Sequence, residues 1–232
     1  MSAAITTVGL CKTYGDHEAL APLDLHIDVG ERVSLIGHNG SGKTTLIRMI
    51  AGLLEPSSGV ATVSESPAGS IDARAALSYL PDAPVFYDDL SVWQHLEYVA
   101  RLHSTTDWEH HAAWLLDTLG ITERADDLPV TFSRGLQQKA AIALGFVRPF
   151  DVMLVDEPFV GLDRKGREAL LELFAWAHGD GATLVIATHE LASVHAGERL
   201  IALADGQVIF DGVPADADTD SLADGLAERP DD

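Results

Sequence analysis

Short apolar runs alternate with segments of helical periodicity along most of the chain, and this alternation predicts its architecture. Apolar runs of four to eight residues bounded by turn residues are typical of buried strands. Runs of this kind occupy residues 32–36, 151–158, 183–188 and 199–203. Apolar residues recur with helical spacing in 45–50, after the first run, and in 168–176, between the second and the third. Strands that alternate with helices predict an α/β fold with a mostly parallel, helix-flanked sheet.

Two further regions depart from this alternation. Residues 5–10 and 23–29 indicate strands joined by a turn near Gly15, and 60–63 indicate another strand, so the chain begins with a β-rich part. From about residue 91 to 119 the apolar residues follow helical spacing, which predicts a mainly helical insertion.

One stretch carries a recognisable chemistry. It fits the pattern G-x-x-x-x-G-K-[ST] between a strand and a helix, the context in which backbone N–H groups hold phosphates. Its residues are Gly37, His38, Asn39, Gly40, Ser41, Gly42, Lys43 and Thr44. Lys43 is expected to reach the β- and γ-phosphates, the Thr44 hydroxyl to bind Mg²⁺, and the Thr45 N–H to point at the α-phosphate, whereas His38 occupies a variable position. A nucleoside triphosphate is therefore the expected ligand.

The composition narrows the choice of partners and compartment. The 232 residues carry 36 acidic and 15 basic side chains, a net charge of −21, which argues against a nucleic-acid partner because phosphate backbones require a basic surface. No apolar run is long enough to span a bilayer, and a secretory signal is not expected at the N-terminus. Together with a single cysteine, Cys11, these features predict a cytoplasmic location.

Two adjacent carboxylates end the run 151–158, and a histidine ends the next run. An open parallel sheet presents chemistry at the carboxyl ends of its strands. Asp156 is suited to hold Mg²⁺ through its water shell, and Glu157 to orient or deprotonate an attacking water. His189 follows Thr188 and is positioned to contact a γ-phosphate.

Taken in order, these motifs resemble those of ATP-binding cassette (ABC) ATPases over nearly the whole chain. Besides the phosphate loop, the resemblance implies that Tyr14 is the aromatic residue that stacks on adenine. It also places Asp82 in the loop that usually carries glutamine. It also assigns the signature to Ser133–Gln138, the second Walker motif to Val152–Glu157, the D-loop to Gly161–Asp163 and the switch histidine to His189.

The family resemblance implies a P-loop ABC ATPase fold with an antiparallel β subdomain and a helical subdomain at roughly residues 85–148. It implies one domain over residues 1–213, and the acidic residues 214–232 form a tail to which we assign no function. It also implies that Ser133 and Gly135 meet ATP held by a second ATP-binding subunit, either an identical chain or a paralogue.

Three positions depart from the family pattern, which has glutamine at Asp82, glycine at Arg134 and glutamine at Leu136. The Asp82 carboxylate would reach Mg²⁺ only through water, or would act in coupling to a membrane subunit. An acidic residue and a basic residue at these places resemble the ABC-2-type exporters. Because Glu157 is retained, an active hydrolase is expected.

The implied function is that of an ATP-hydrolysing subunit that uses Mg²⁺ and drives a separate integral membrane permease. The chain would then be peripheral on the inner face of the cell membrane. A non-transport ABC ATPase that acts as a mechanical or signalling switch on a membrane complex is the alternative. A nucleotide-binding scaffold without hydrolysis is a third possibility.

Overall fold

The computed structural model of the chain describes residues 2–189 and 199–216. Within these residues, six strands form the central sheet in the order β10, β9, β3, β8, β7, β6. All neighbouring pairs are parallel except β10 and β9. The strands are β3 (Arg32–Ile36), β6 (Leu77–Leu80), β7 (Val152–Asp156), β8 (Thr183–Thr188), β9 (Arg199–Ala204) and β10 (Gln207–Gly212). The predicted mostly parallel α/β sheet is confirmed.

A second, antiparallel sheet is built mainly from the N-terminal part of the chain. Its order is β2, β1, β4, β5, and its long hairpin joins β1 (Ala3–Tyr14) to β2 (His17–Asp28). The strands β4 (Ser58–Val63) and β5 (Ser66–Pro67) complete it. The predicted β-rich entry is therefore present, with strands longer than the apolar pattern alone indicated.

Helices cover the central sheet and build the region between β6 and β7. They are α1 (Lys43–Ile50), α2 (Ile71–Ala76), α3 (Val92–Leu102), α4 (Trp108–Thr118), α5 (Arg134–Phe146) and α6 (Arg164–Gly179). One buried cluster joins α3 to α6 with the sheet, and another joins α1 with both sheets. The loop residues between the strands and these helices are thereby held by two packed layers.

The mainly helical region predicted for residues 91–119 is present and consists of two helices. A capping box formed by Ser91 and Gln94 starts α3, which ends at Leu102. Ser104 and Asp107 then adopt left-handed backbone conformations (φ 54° and 53°), which a continuous right-handed helix does not allow. The chain restarts as α4 at Trp108.

No helix within residues 2–189 and 199–216 is both long enough and apolar enough to cross a membrane. The part of the acidic tail from residue 217 to 232 lies outside the described residues.

Candidate nucleotide-binding and hydrolysis site

The candidate site residues follow the carboxyl ends of four parallel strands. The phosphate loop follows β3, Glu157 follows β7, His189 follows β8 and Asp82 lies two residues after β6. Because β3, β8, β7 and β6 are consecutive neighbours in the sheet, these four loops meet at one edge. The topology thus brings together residues that are up to 152 positions apart in sequence.

Glycine is required in the phosphate loop where the backbone is crowded. Gly42 has φ 104°, and a methyl group placed on it would lie 2.7 Å from the carbonyl oxygen of Ala19. A methyl group on Gly37 would clash with Ser41 Oγ and the carbonyl of Leu203. Only glycine meets both the conformational and the steric demand at Gly42, so the loop curls tightly before α1 begins at Lys43.

The ammonium group of Lys43 is buried inside this loop. Its Nζ donates hydrogen bonds to the carbonyl oxygens of Gly37 at 2.7 Å and His38 at 3.1 Å. It lies 3.8 Å from Glu157 Oε1. Burial lowers the pKa of Lys43, and the negative charges of Glu157 and Asp156 act against that shift. A charged donor at the centre of the loop is suited to a phosphate oxygen.

Asp156 is completely buried at the end of β7. Neither of its carboxylate oxygens has a hydrogen-bond partner among the described residues. Burial raises the pKa of Asp156, and the charges of Glu157 and Asp82 raise it further, whereas Thr44 and Lys43 act in the opposite direction. Because Thr44 and Lys43 offset only part of the effect of burial, this carboxylate is suited to a cation that arrives with the ligand.

Glu157, the next residue, is held in a left-handed conformation (φ 47°), which is uncommon for a residue other than glycine. Its Oε2 is 2.9 Å from Nδ1 of His189, and its Oε1 faces Lys43. The turn therefore directs the two neighbouring carboxylates differently: Asp156 stays inside the sheet, and Glu157 reaches the open cavity.

A cavity of about 350 Å³ lies over the loop. Its lining includes most of the residues that the sequence assigned to the nucleotide, namely Tyr14, Asn39, Gly40, Ser41, Gly42, Lys43, Thr44, Thr45, Asp82 and Glu157. Tyr14 is half exposed at the tip of the β1–β2 hairpin, with Nζ of Lys12 5.2 Å from its ring centroid. The phosphate loop and the proposed adenine contact thus share one cavity.

Sequence reasoning missed two residues of this lining, His17 and Ala19. Both lie on β2, just beyond the hairpin turn at Gly15. Their only sequence signal is proximity to Tyr14, because the approach of β2 to the phosphate loop is a tertiary contact.

Several predicted site residues lie outside this lining. Gly37 supports Lys43 through its carbonyl oxygen, and His38 is directed toward the loop before β10, with Nε2 3.7 Å from Asp205. Asp156 is beneath the surface, and half-exposed His189 reaches the site through Glu157.

Ser133 and Gly135 also lie outside the cavity, at the start of α5. Gly135 packs against the D-loop: a methyl group placed on it would lie 2.5 Å from the carbonyl oxygen of Gly161. Within one chain the signature residues therefore do not line the nucleotide cavity.

The residues present fit a divalent cation of the Mg²⁺ type. Mg²⁺ is usually held by one or two carboxylates together with substrate phosphates, without a dedicated protein cage. Asp156 supplies a buried carboxylate without a partner, and the Thr44 hydroxyl is close enough to influence its pKa. Residues 2–189 and 199–216 contain no cluster of three or more His, Cys, Asp or Glu side chains arranged to hold a metal ion.

The fold and this site define a P-loop nucleoside triphosphatase. The family model described as ABC transporter matches residues 20–160. The SkfA peptide export ATP-binding protein SkfE of Bacillus subtilis is 31% identical, over 87% of this chain and 86% of its own length. The aliphatic sulfonates import ATP-binding protein SsuB of Pseudomonas putida is also 31% identical, over 89% of this chain and 75% of its own length.

A solved structure, the dimeric structure of the bacterial ABC transporter cassette MJ0796, shares the fold. It matches with a TM-score of 0.82 and 27% identity, covering 90% of this chain and 98% of that chain. The chain therefore belongs to the ABC transporter family, as an ATP-binding subunit with ATPase activity. ATP-binding subunits of this family dimerise and work with membrane permeases.

Proposed function

We propose that this chain hydrolyses ATP to drive export through a separate membrane permease of the ABC-2 type, on the inner face of the cell membrane. The observation that carries the hydrolytic part is the position of Glu157. Its carboxylate lines the nucleotide cavity between Lys43, 3.8 Å away, and His189, 2.9 Å away. A base in this position can act on a water beside the terminal phosphate that Lys43 binds.

The roles of the neighbouring residues follow from their positions. Thr44 and Asp156 would hold Mg²⁺, which neutralises charge on the phosphates when it is bound. His189 keeps Glu157 oriented and can contact the γ-phosphate. Tyr14 offers an aromatic face to the adenine at the other end of the cavity.

The hydrolytic unit in this proposal is a pair of chains. Ser133 and Gly135 lie outside their own chain's cavity, yet the N-terminus of α5 offers backbone N–H groups suited to a phosphate. In a head-to-tail pair, each signature segment would cover the ATP of the other chain. The dimeric arrangement of the MJ0796 cassette supports this proposal. The second subunit would be an identical chain or a paralogue.

The direction of transport rests on fewer residues. Asp82 and Arg134, at positions where the family has glutamine and glycine, favour an ABC-2-type exporter. The similarity to SkfE agrees with export, whereas SsuB, at the same identity, is an import protein. The helical region between β6 and β7 is the proposed docking site for the permease.

Replacing Glu157 by glutamine tests the hydrolytic assignment. Glu157→Gln keeps the size of the side chain but removes the base, so phosphate release should fall at least about 100-fold, the range expected for loss of a general base. ATP should still bring two chains together, as measured by analytical ultracentrifugation. Glu172→Gln, an exposed position on α6, is the matched control and should keep wild-type turnover.

Wild-type phosphate release by Glu157→Gln would contradict the catalytic assignment. Failure of ATP to dimerise Glu157→Gln would contradict the two-chain arrangement. Purification of the native membrane complex tests the transport assignment: a permease that co-purifies and imports its substrate would contradict export. Co-purification of a membrane protein without transport activity would favour the signalling-switch alternative.

A further inference from the structure

Two residues that depart from the family pattern face each other. Asp82, in the loop after β6, and Arg134, the first residue of α5, are 52 positions apart in sequence. Their side chains form an ion pair, with Arg134 Nη2 3.7 Å from Asp82 Oδ1. Where the family has glutamine and glycine, no such pair can form. The two departures are therefore one structural feature.

Each member of this pair belongs to a different nucleotide site. Asp82 lines the cavity that holds the ATP of its own chain, and its charge contributes to the raised pKa of buried Asp156. Arg134 lies between Ser133 and Gly135, the residues that would meet the ATP of the second chain. The ion pair thus connects the two half-sites that one chain contributes to a dimer.

The side chain of Arg134 is also guided along the D-loop. A methyl group placed on Gly161 would lie 3.4 Å from Cγ of Arg134 and 3.6 Å from its Cδ. The aliphatic stem therefore passes close to Gly161, and only the guanidinium reaches Asp82. The pair is accessible to competing ions, because the Arg134 and Asp82 side chains are 67% and 48% exposed.

Both members have a competing partner once nucleotide is present. A cation bound with the nucleotide attracts the Asp82 carboxylate, and the triphosphate of the second chain attracts the Arg134 guanidinium. The ion pair must then weaken for the signature segment to close on that triphosphate.

We propose that the Asp82–Arg134 ion pair couples the two ATP sites of the dimer. While the nucleotide cavity of a chain is empty, Asp82 holds Arg134; when ATP and its cation occupy that cavity, Arg134 is released to the ATP of the second chain. Arg134 is thus a positioning residue whose availability depends on the occupancy of its own chain's site. The inference rests on the two-chain arrangement proposed above.

Single and double variants in a Glu157→Gln background test this coupling without hydrolysis. The readouts are the ATP concentration for half-maximal dimerisation and its Hill coefficient, both in the presence of Mg²⁺. Asp82→Asn frees Arg134 and should lower that concentration about two- to fivefold, the range of an exposed ion pair, and reduce the Hill coefficient. Arg134→Gln should raise the concentration, whereas Arg134→Lys should stay near the parent.

The double variant gives the decisive comparison. If Asp82 acts through Arg134, then Asp82→Asn combined with Arg134→Gln should match Arg134→Gln alone. The pair of Arg124 and Asp127 is a matched control, since its side chains are 56% and 44% exposed and lie outside the nucleotide cavity. Arg124→Gln and Asp127→Asn should leave both readouts unchanged.

Two classes of result separate this inference from the proposed function. The coupling would be overturned, with the dimer left intact, by any one of three results. These are additive effects of the two substitutions, a higher ATP concentration for half-maximal dimerisation in Asp82→Asn, and a Hill coefficient of 1 in the parent. Absence of any ATP-dependent dimer in the parent would instead overturn the two-chain arrangement itself.

Discussion

The buried carboxylate of Asp156 leads to a prediction about stability as well as activity. Asp156 is fully buried, and neither oxygen has a hydrogen-bond partner among the described residues. A buried polar group left without a partner costs about 1–3 kcal/mol, and more when it is charged. Asp156→Asn removes the charge at nearly constant volume. We expect the variant to be more stable than the wild type when nucleotide and metal are absent.

The magnitude follows from opposing effects. Removing the charge relieves its desolvation and its repulsion by Glu157 and Asp82, but it also removes the favourable interactions of the carboxylate with Thr44 and Lys43. In the variant, Glu157 still lies 3.8 Å from the Lys43 ammonium group, so most of the electrostatic stabilisation of that buried charge remains. The new amide still lacks a partner and retains part of the original cost. A net gain of about 1–2 kcal/mol in the free energy of unfolding corresponds to about 2–8 °C in Tm for a chain of this size.

The gain should depend on pH in a defined direction. The pKa of Asp156 in the folded chain lies above its value in the unfolded chain, so the folded chain binds this proton more tightly. The penalty is therefore fully present above the folded pKa and disappears as the pH falls to the ordinary Asp value of about 4. The advantage of Asp156→Asn should be largest near pH 8 and should shrink on acidification.

Urea unfolding in EDTA at several pH values measures this difference. Asp151→Asn is the matched control, because Asp151 directly precedes β7 but its side chain is exposed. Adding Mg²⁺ and ATP should reverse the order of stabilities, since the wild type gains more binding free energy. An Asp156→Asn chain that is less stable than the wild type at pH 8 without ligands, or an advantage that grows on acidification, would refute the reasoning.

Three further predictions concern the other parts of the site. Lys43→Met removes a charged phosphate ligand and should weaken ATP binding about 10- to 100-fold by isothermal titration calorimetry, whereas exposed Lys165→Met should bind normally. Tyr14→Ala should weaken ATP binding by about 1–3 kcal/mol through loss of base stacking, whereas Tyr14→Phe should bind ATP like the wild type. Equal losses of ATP affinity in the two variants would exclude stacking. Gly135→Ala forces a methyl group toward the carbonyl of Gly161 and should cost about 1–3 kcal/mol of stability in chemical denaturation; an unchanged midpoint would show that the two loops separate easily.

Local sequence patterns were sufficient for the parts of the fold that depend on local chemistry. The apolar run before Gly37 and the helix after Thr44 place the phosphate loop, because both boundaries follow from periodicity and glycine content. The carboxylates Asp156 and Glu157 were placed correctly at a strand end by the same reasoning. Asp156 is buried whereas Glu157 faces the cavity, and this difference depends on the left-handed backbone conformation of Glu157. No sequence pattern indicates that conformation.

Contacts between distant segments were beyond the reach of sequence. His17 and Ala19 line the cavity because β2 passes beside the phosphate loop. The close approach of Gly42 to the carbonyl oxygen of Ala19 shows this contact, which no local sequence pattern indicates. In the same way, Asp82 and Arg134 could be recognised as departures from the family pattern, but not as neighbours. This pairing depends on the packing of α5 against β6, where the Ser78 hydroxyl donates a hydrogen bond to the carbonyl oxygen of Gly145.

The residues that would bind the nucleotide concentrate features that cost stability on an otherwise well-packed sheet. Asp156 is buried without a partner, the pKa of Lys43 is lowered by burial, and Glu157 has an uncommon backbone conformation. A triphosphate with its cation would supply a partner to the Asp156 carboxylate and a phosphate oxygen to the Lys43 ammonium group. Part of the stability lost at these residues would be recovered when ATP and its cation bind. This explains why Asp156→Asn, which is expected to stabilise the chain in the absence of ligands, is also expected to weaken its response to ATP.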